Sequence, residues 1–127
     1  MAEETKKSKI LLIEDDAFMS DLLTTALARV GFDVSNVKTG AEGVRLFGEW
    51  HPDLILLDLI LPRIDGFEVL SLLKANPKTI SIPVIVLTNL EGSADVERAL
   101  ALGATTYLVK TNYRLEEVIE KVKQAIH

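Results

Sequence analysis

The chain has 127 residues, 48% of them hydrophobic, which is enough apolar surface for one domain with a full core. The formal net charge of -5 argues against non-specific nucleic-acid binding and against attraction to an anionic membrane. With 0 cysteines, disulfides and thiolate metal sites are excluded, which suits a reducing compartment. The polar start MAEETKKSK lacks a secretory apolar segment, and the apolar runs are strand-sized. The reading is a soluble cytoplasmic domain over residues 1–127, with a frayed, charged segment at 1–8.

Lys9 to Ile13 is a continuous apolar run, read as strand one, and it ends in Glu14-Asp15-Asp16. From Ala17 to Val30, Phe18, Met19, Leu22, Leu23, Ala26, Leu27 and Val30 recur at helical spacing, and Gly31 stands at the stop. Asp33 to Val37 is a short strand two. Thr39 and Glu42 open helix two as a capping box, with Val44 and Leu46 or Phe47 on its inner face. His51-Pro52 closes the next loop, and Trp50 reads as a loop aromatic covering the end of helix two.

Strand three is the unbroken run Leu54 to Leu57, suited to burial on both faces, and Asp58 stands at its carboxyl end. Pro62 stops any ladder. Asp65-Gly66 turns the chain, and Asp65 with Glu68 caps helix three, about Phe67 to Ala75, with Val69, Leu70, Leu72 and Leu73 as its apolar side. Asn76-Pro77 breaks that helix. Pro83 leads into strand four, Val84 to Leu87, closed by Thr88. Helix four spans roughly Ser93 to Leu102 and stops at Gly103. Strand five is Thr106 to Val109, followed by Lys110. Helix five runs from near Arg114 to Ile126, with Asn112 expected as its N-cap.

Five alternating strand–helix units imply an α/β class: a parallel sheet, doubly wound by right-handed crossovers, with helices on both faces. Periodicity alone leaves the strand order open. Ligand sites in such sheets lie at the carboxyl ends of strands. There this chain places Glu14, Asp15 and Asp16, then Asp58, Thr88 and Lys110. Each has a plainer reading by itself: a cap, a dipole-pairing acid, a β-branched strand residue, a surface lysine. Together, clustered carboxylates need a cation to offset their repulsion, and an all-oxygen set suits Mg²⁺. A lysine and a hydroxyl beside them suit a phosphoryl group on a carboxylate.

The chain from Lys9 to His127 resembles the receiver domain of two-component response regulators. The resemblance rests on Glu14-Asp15-Asp16 after strand one, on Asp58, Pro62, Asp65 and Gly66 in the pattern Asp-x-x-x-Pro-x-x-Asp-Gly, on Thr88, and on Gly103-Ala104-x-x-Tyr107-Leu108-x-Lys110. It implies a flavodoxin-like sheet of order 2-1-3-4-5. It implies that Asp58 accepts a phosphoryl group from a sensor histidine kinase or phosphotransfer protein. It also implies that Asp15 and Asp58 bind Mg²⁺, or Mn²⁺, with Glu14 assisting and the Ile60 carbonyl as a further ligand. Thr88 and Lys110 would contact phosphoryl oxygens, and Tyr107 would change rotamer on activation. The downstream partner would read the face of helix four, strand five and helix five.

Two positions depart from the family. Thr111 replaces the usual proline after the strand-five lysine. A cis bond before a non-proline costs about 2.5–4 kcal/mol, so a trans bond in a reshaped loop is the alternative. Asn89 replaces a small residue after the strand-four hydroxyl. Among other classes, a haloacid-dehalogenase-type hydrolase wants a second Asp where Ile60 stands. A nucleotide- or flavin-binding module wants a Gly/Ser/Thr-rich loop where three acids stand. A degenerate receiver that serves only as an interaction module keeps the fold without the chemistry. The domain is not a conventional enzyme in this reading, since it catalyses only its own phosphorylation and dephosphorylation. His51 and His127 have no catalytic neighbours in sequence. No effector segment follows helix five, which fits either a stand-alone regulator or a piece of a longer protein.

Overall fold

The computed structural model describes residues 7–126, so residues 1–6 of the expected frayed start, and His127, lie outside it. In chain order the elements are β1 (Lys9–Ile13), α1 (Ala17–Arg29), β2 (Asp33–Val37), α2 (Gly40–Trp50), β3 (Leu54–Leu57), α3 (Gly66–Ala75), β4 (Val84–Thr88), α4 (Ser93–Ala101), β5 (Thr106–Val109) and α5 (Leu115–Ala125). All strand pairs are parallel, in the order β2-β1-β3-β4-β5.

The unbroken apolar strands are explained by burial on both faces. Leu11, Ile13, Ile55, Leu57, Val84 and Val86 pack with Phe47 of α2, Leu70 of α3 and Ala99 of α4. The alternate residues Ile10, Leu12, Leu54, Leu56, Ile85 and Leu87 pack with Leu23 and Leu27 of α1 and Val118 and Val122 of α5. Each fully buried Leu or Ile contributes about 1.5–3 kcal/mol.

The helix ends follow local chemistry. Asp16, Thr39 and Asp65 accept hydrogen bonds from Phe18, Glu42 and Glu68 N–H at 3.1, 3.1 and 3.0 Å. α1 closes with Gly31 at φ 101°, while Gly31 and Phe32 N–H donate back to Ala28 and Leu27 carbonyls.

The apolar stripe of α1 is wider than the face it buries: Phe18 is 75% exposed, and Leu22 and Val30 are exposed too. Three expectations are corrected. Leu72 of α3 is likewise exposed, whereas Phe67, Val69, Leu70 and Leu73 are buried in the core. Trp50 is the last residue of α2, half-buried against the core, with Lys9 Nζ 5.6 Å above its ring. Asn112 does not cap α5. It belongs to a 3₁₀ turn over Lys110–Asn112, and Arg114 takes the N-cap position, where the Glu117 carboxylate accepts from its N–H at 2.8 Å. The Lys110–Thr111 bond is trans, as no cis peptide occurs among the described residues.

Candidate functional site

Register brings the acids together. Ile13 and Leu57 are paired across β1 and β3, so Glu14 and Asp58 leave the sheet side by side, and Asp58 N–H donates to Ile13 O at 3.0 Å. Neighbouring strands lie only about 5 Å apart, so adjacent strand ends force adjacent side chains. Carboxylate oxygens of Glu14, Asp15 and Asp58 lie within 4.8 Å of one another. Asp15 is exposed, whereas Glu14 and Asp58 are buried. Asp16 turns away to cap α1, so the third acid of the run is structural.

Lys110 reaches this cluster from the end of β5. Its Nζ lies 2.6 Å from Glu14 Oε1 and 3.1 Å from Asp58 Oδ2. The trans bond to Thr111 and the 3₁₀ turn therefore leave the lysine in place. Burial raises the Glu14 carboxyl above its usual range, and the Asp58 charge adds to this against the Lys110 hydrogen bond. For Lys110, burial alone would favour the neutral amine. The hydrogen bond to Glu14 and the charge of Asp58 outweigh it, and the ammonium is held above its ordinary value.

The other Asp58 oxygen, Oδ1, accepts from Ile60 N–H at 3.1 Å. Ile60 thus touches the site through its amide, and its side chain is 52% exposed. Thr88 is fully buried at the end of β4, and Leu90 N–H approaches its hydroxyl at 3.5 Å. Tyr107 is half-buried, and its hydroxyl donates to Leu90 O at 2.8 Å. Burial, then the charges of Asp95 and Asp58, raise its phenol above the usual value. Leu90 is therefore bonded at its N–H to Thr88 and at its carbonyl to Tyr107, which ties the end of β4 to β5.

One supporting residue is more constrained than its turn motif suggests. A Cβ on Gly66 would lie 2.4 Å from Leu59 Cα and 2.5 Å from the Asp58 carbonyl. Its glycine allows α3 to start directly against the backbone of the central acid. The Asp-Gly pair signalled a turn in the sequence, but not this close approach.

The donor set is three carboxylates with no sulfur or imidazole, which fits a hard divalent cation.

This arrangement recurs in known proteins. Residues 10–123 match the model of the response regulator receiver domain. The DNA-binding dual master transcriptional regulator RpaA of Synechocystis is 39% identical over 91% of this chain and 47% of its own length. The phosphorylated cyanobacterial phytochrome response regulator RcpA superposes with TM-score 0.79 at 36% identity, over 94% of this chain and 91% of that one. The Mn²⁺-bound form of response regulator Rcp1 does so with TM-score 0.78 at 31% identity, over 92% and 90%. The chain spans about half the length of the curated relatives it matches. Matching along nearly all its described length, with the acids and the lysine meeting at one sheet end, this chain belongs to the response regulator receiver domain family.

Proposed function

We propose that Asp58 carries a phosphoryl group received from the phosphohistidine of a sensor histidine kinase or phosphotransfer protein. One observation carries this reading: Asp58 meets two further carboxylates and a buried ammonium at the carboxyl end of the central strand. An Asp58 carboxylate oxygen attacks phosphorus, an O–P bond forms, the donor's P–N bond breaks, and the imidazole leaves with the electron pair. Lys110 follows the developing charge from Asp58 to a phosphoryl oxygen, and the Thr88 hydroxyl donates to another.

Glu14, Asp15 and Asp58 would hold Mg²⁺, or Mn²⁺ as in the Mn²⁺-bound form of Rcp1, with the Ile60 carbonyl as a further ligand. When bound, such an ion offsets the charge of the carboxylates and phosphoryl oxygens. Thr88 drawn toward the phosphoryl group would release its contact with Leu90, and Tyr107 would then repack the face of α4, β5 and α5 that a downstream partner reads. Phe18 and Leu22, exposed beside the acidic end of β1, offer an apolar landing for the donor.

Residues 1–127 act in this reading as one cytoplasmic receiver unit. Nucleic-acid contact, named for RpaA, would fall to another segment. No helix among the described residues is long and apolar enough to cross a membrane. Every reacting group is present, so no observation favours a receiver that only docks partners. The test is beryllofluoride with Mg²⁺, followed by amide NMR. Shifts at Ile60, Thr88 and Tyr107 are expected, and a spectrum unchanged at Ile60 and Thr88 would refute the site.

A further inference from the structure

Asn36 stands on β2, the edge strand, in register with Leu12. Asparagine is a poor strand former, and a β-branched residue would suit this half-buried position better. Its side chain compensates by reaching across to β1. Nδ2 lies 3.1 Å from Leu12 O, 3.3 Å from Glu14 O and 3.2 Å from Val37 O, so two N–H groups serve three carbonyls. The Glu14 carbonyl belongs to the peptide that joins Glu14 to Asp15. Glu14 N–H donates to Val37 O at 3.0 Å. Both backbone groups of Glu14 are thus tied to β2 one residue beyond the end of β1.

We infer that Asn36 is a positioning residue for the divalent cation. It anchors the Glu14–Asp15 peptide so that both carboxylates converge on Asp58 before the ion arrives. This rests on the reading of Glu14, Asp15 and Asp58 as the cation site. Three like charges repel one another in the metal-free protein, so the backbone must hold them together. Without that anchor, part of the binding free energy goes to reordering the peptide.

Asn36→Leu keeps the shape of the side chain and removes the donors, whereas Asn36→Gln keeps an amide. Mg²⁺ affinity is measured by calorimetry at fixed ionic strength, alongside hydrogen exchange at the Glu14 and Asp16 amides without metal. Asn36→Leu is expected to weaken Mg²⁺ about fivefold, equivalent to ~1 kcal/mol, and to speed exchange at Glu14. Asn36→Gln should recover most of the affinity. If Asn36→Leu does not fold, Asn36→Thr, which suits a strand, is judged by the same two measurements. A lowered melting temperature with unchanged Mg²⁺ affinity and unchanged exchange would make Asn36 purely structural and overturn the inference. A wild-type protein that binds no Mg²⁺ would overturn the cation site itself.

Discussion

Gly66→Ala isolates the contact beneath the central acid. The added Cβ would sit 2.4 Å from Leu59 Cα and 2.5 Å from Asp58 O, against an ordinary contact limit of 3.4 Å. Both neighbours are backbone, so α3 and the loop after β3 must part by roughly 1 Å. Overpacking of this kind costs about 1–3 kcal/mol, and the rigidity of backbone places it toward the upper end. The helix propensity of Ala returns at most about 1 kcal/mol, and less in a first turn. A net loss of about 2 kcal/mol should lower the melting temperature by ~6–10 °C in a domain of this size. A 1 Å displacement at a reacting group costs about a hundredfold in rate, so acetyl phosphate should label the folded variant about a hundred times more slowly. Gly48→Ala is the control: its Cβ would meet nothing within 4 Å, and it should gain up to ~0.5–1 kcal/mol. Thermal melts and initial labelling rates at 25 °C measure both effects. Gly66→Ala with wild-type stability and wild-type labelling would refute the reasoning.

Three other outcomes follow from the site. Lys110→Met removes the ammonium between Glu14 and Asp58 and should cost about 3 kcal/mol at neutral pH without metal, by urea unfolding. Glu14, whose carboxyl is raised by burial and loses its lowering hydrogen bond, then contributes stability that is complete below its ordinary value of 4.5. That stability is lost as pH rises through the raised folded value, so the variant should regain ground on acidification. If Asp58 carries the phosphoryl group as proposed, Ile60→Asn places a polar group two residues after it, at a position 52% exposed, where it could orient an attacking water. The phosphoaspartate lifetime, followed by mass spectrometry, should shorten about fivefold, or ~1 kcal/mol of barrier. Tyr107→Phe removes the donor to Leu90 O and should cost about 1 kcal/mol in thermal stability while leaving Mg²⁺ affinity unchanged.

Much of the site was legible because it is built from strand ends. A run such as Leu54 to Leu57 announces a buried strand, and whatever follows it must stand at the rim. Asp58, Glu14, Thr88 and Lys110 could be read that way. The strand order could not, since periodicity says which residues face in but not which strands are neighbours; it came from the family resemblance. Asn36 was invisible for the same reason, because its partners are 22 and 24 positions away and become neighbours only through β1–β2 pairing. The exposure of Phe18 and Leu22 could not be read either, because helical spacing defines a face without saying whether anything covers it. Asn112 looked like a cap, but a 3₁₀ turn had already used it. Gly66 was recognised as a turn residue, while the backbone pressed against it is a feature of packing alone.

The central claim is that Asp58 takes the phosphoryl group, and it is tested most directly by acetyl phosphate and Mg²⁺ with peptide mapping by mass spectrometry. A single phosphoryl adduct on the peptide containing Asp58, absent in a folded Asp58→Asn variant, is the expected result. Labelling of Asp58→Asn at the wild-type level, or an adduct mapped to Asp15 or Asp16 in the wild-type protein, would contradict it.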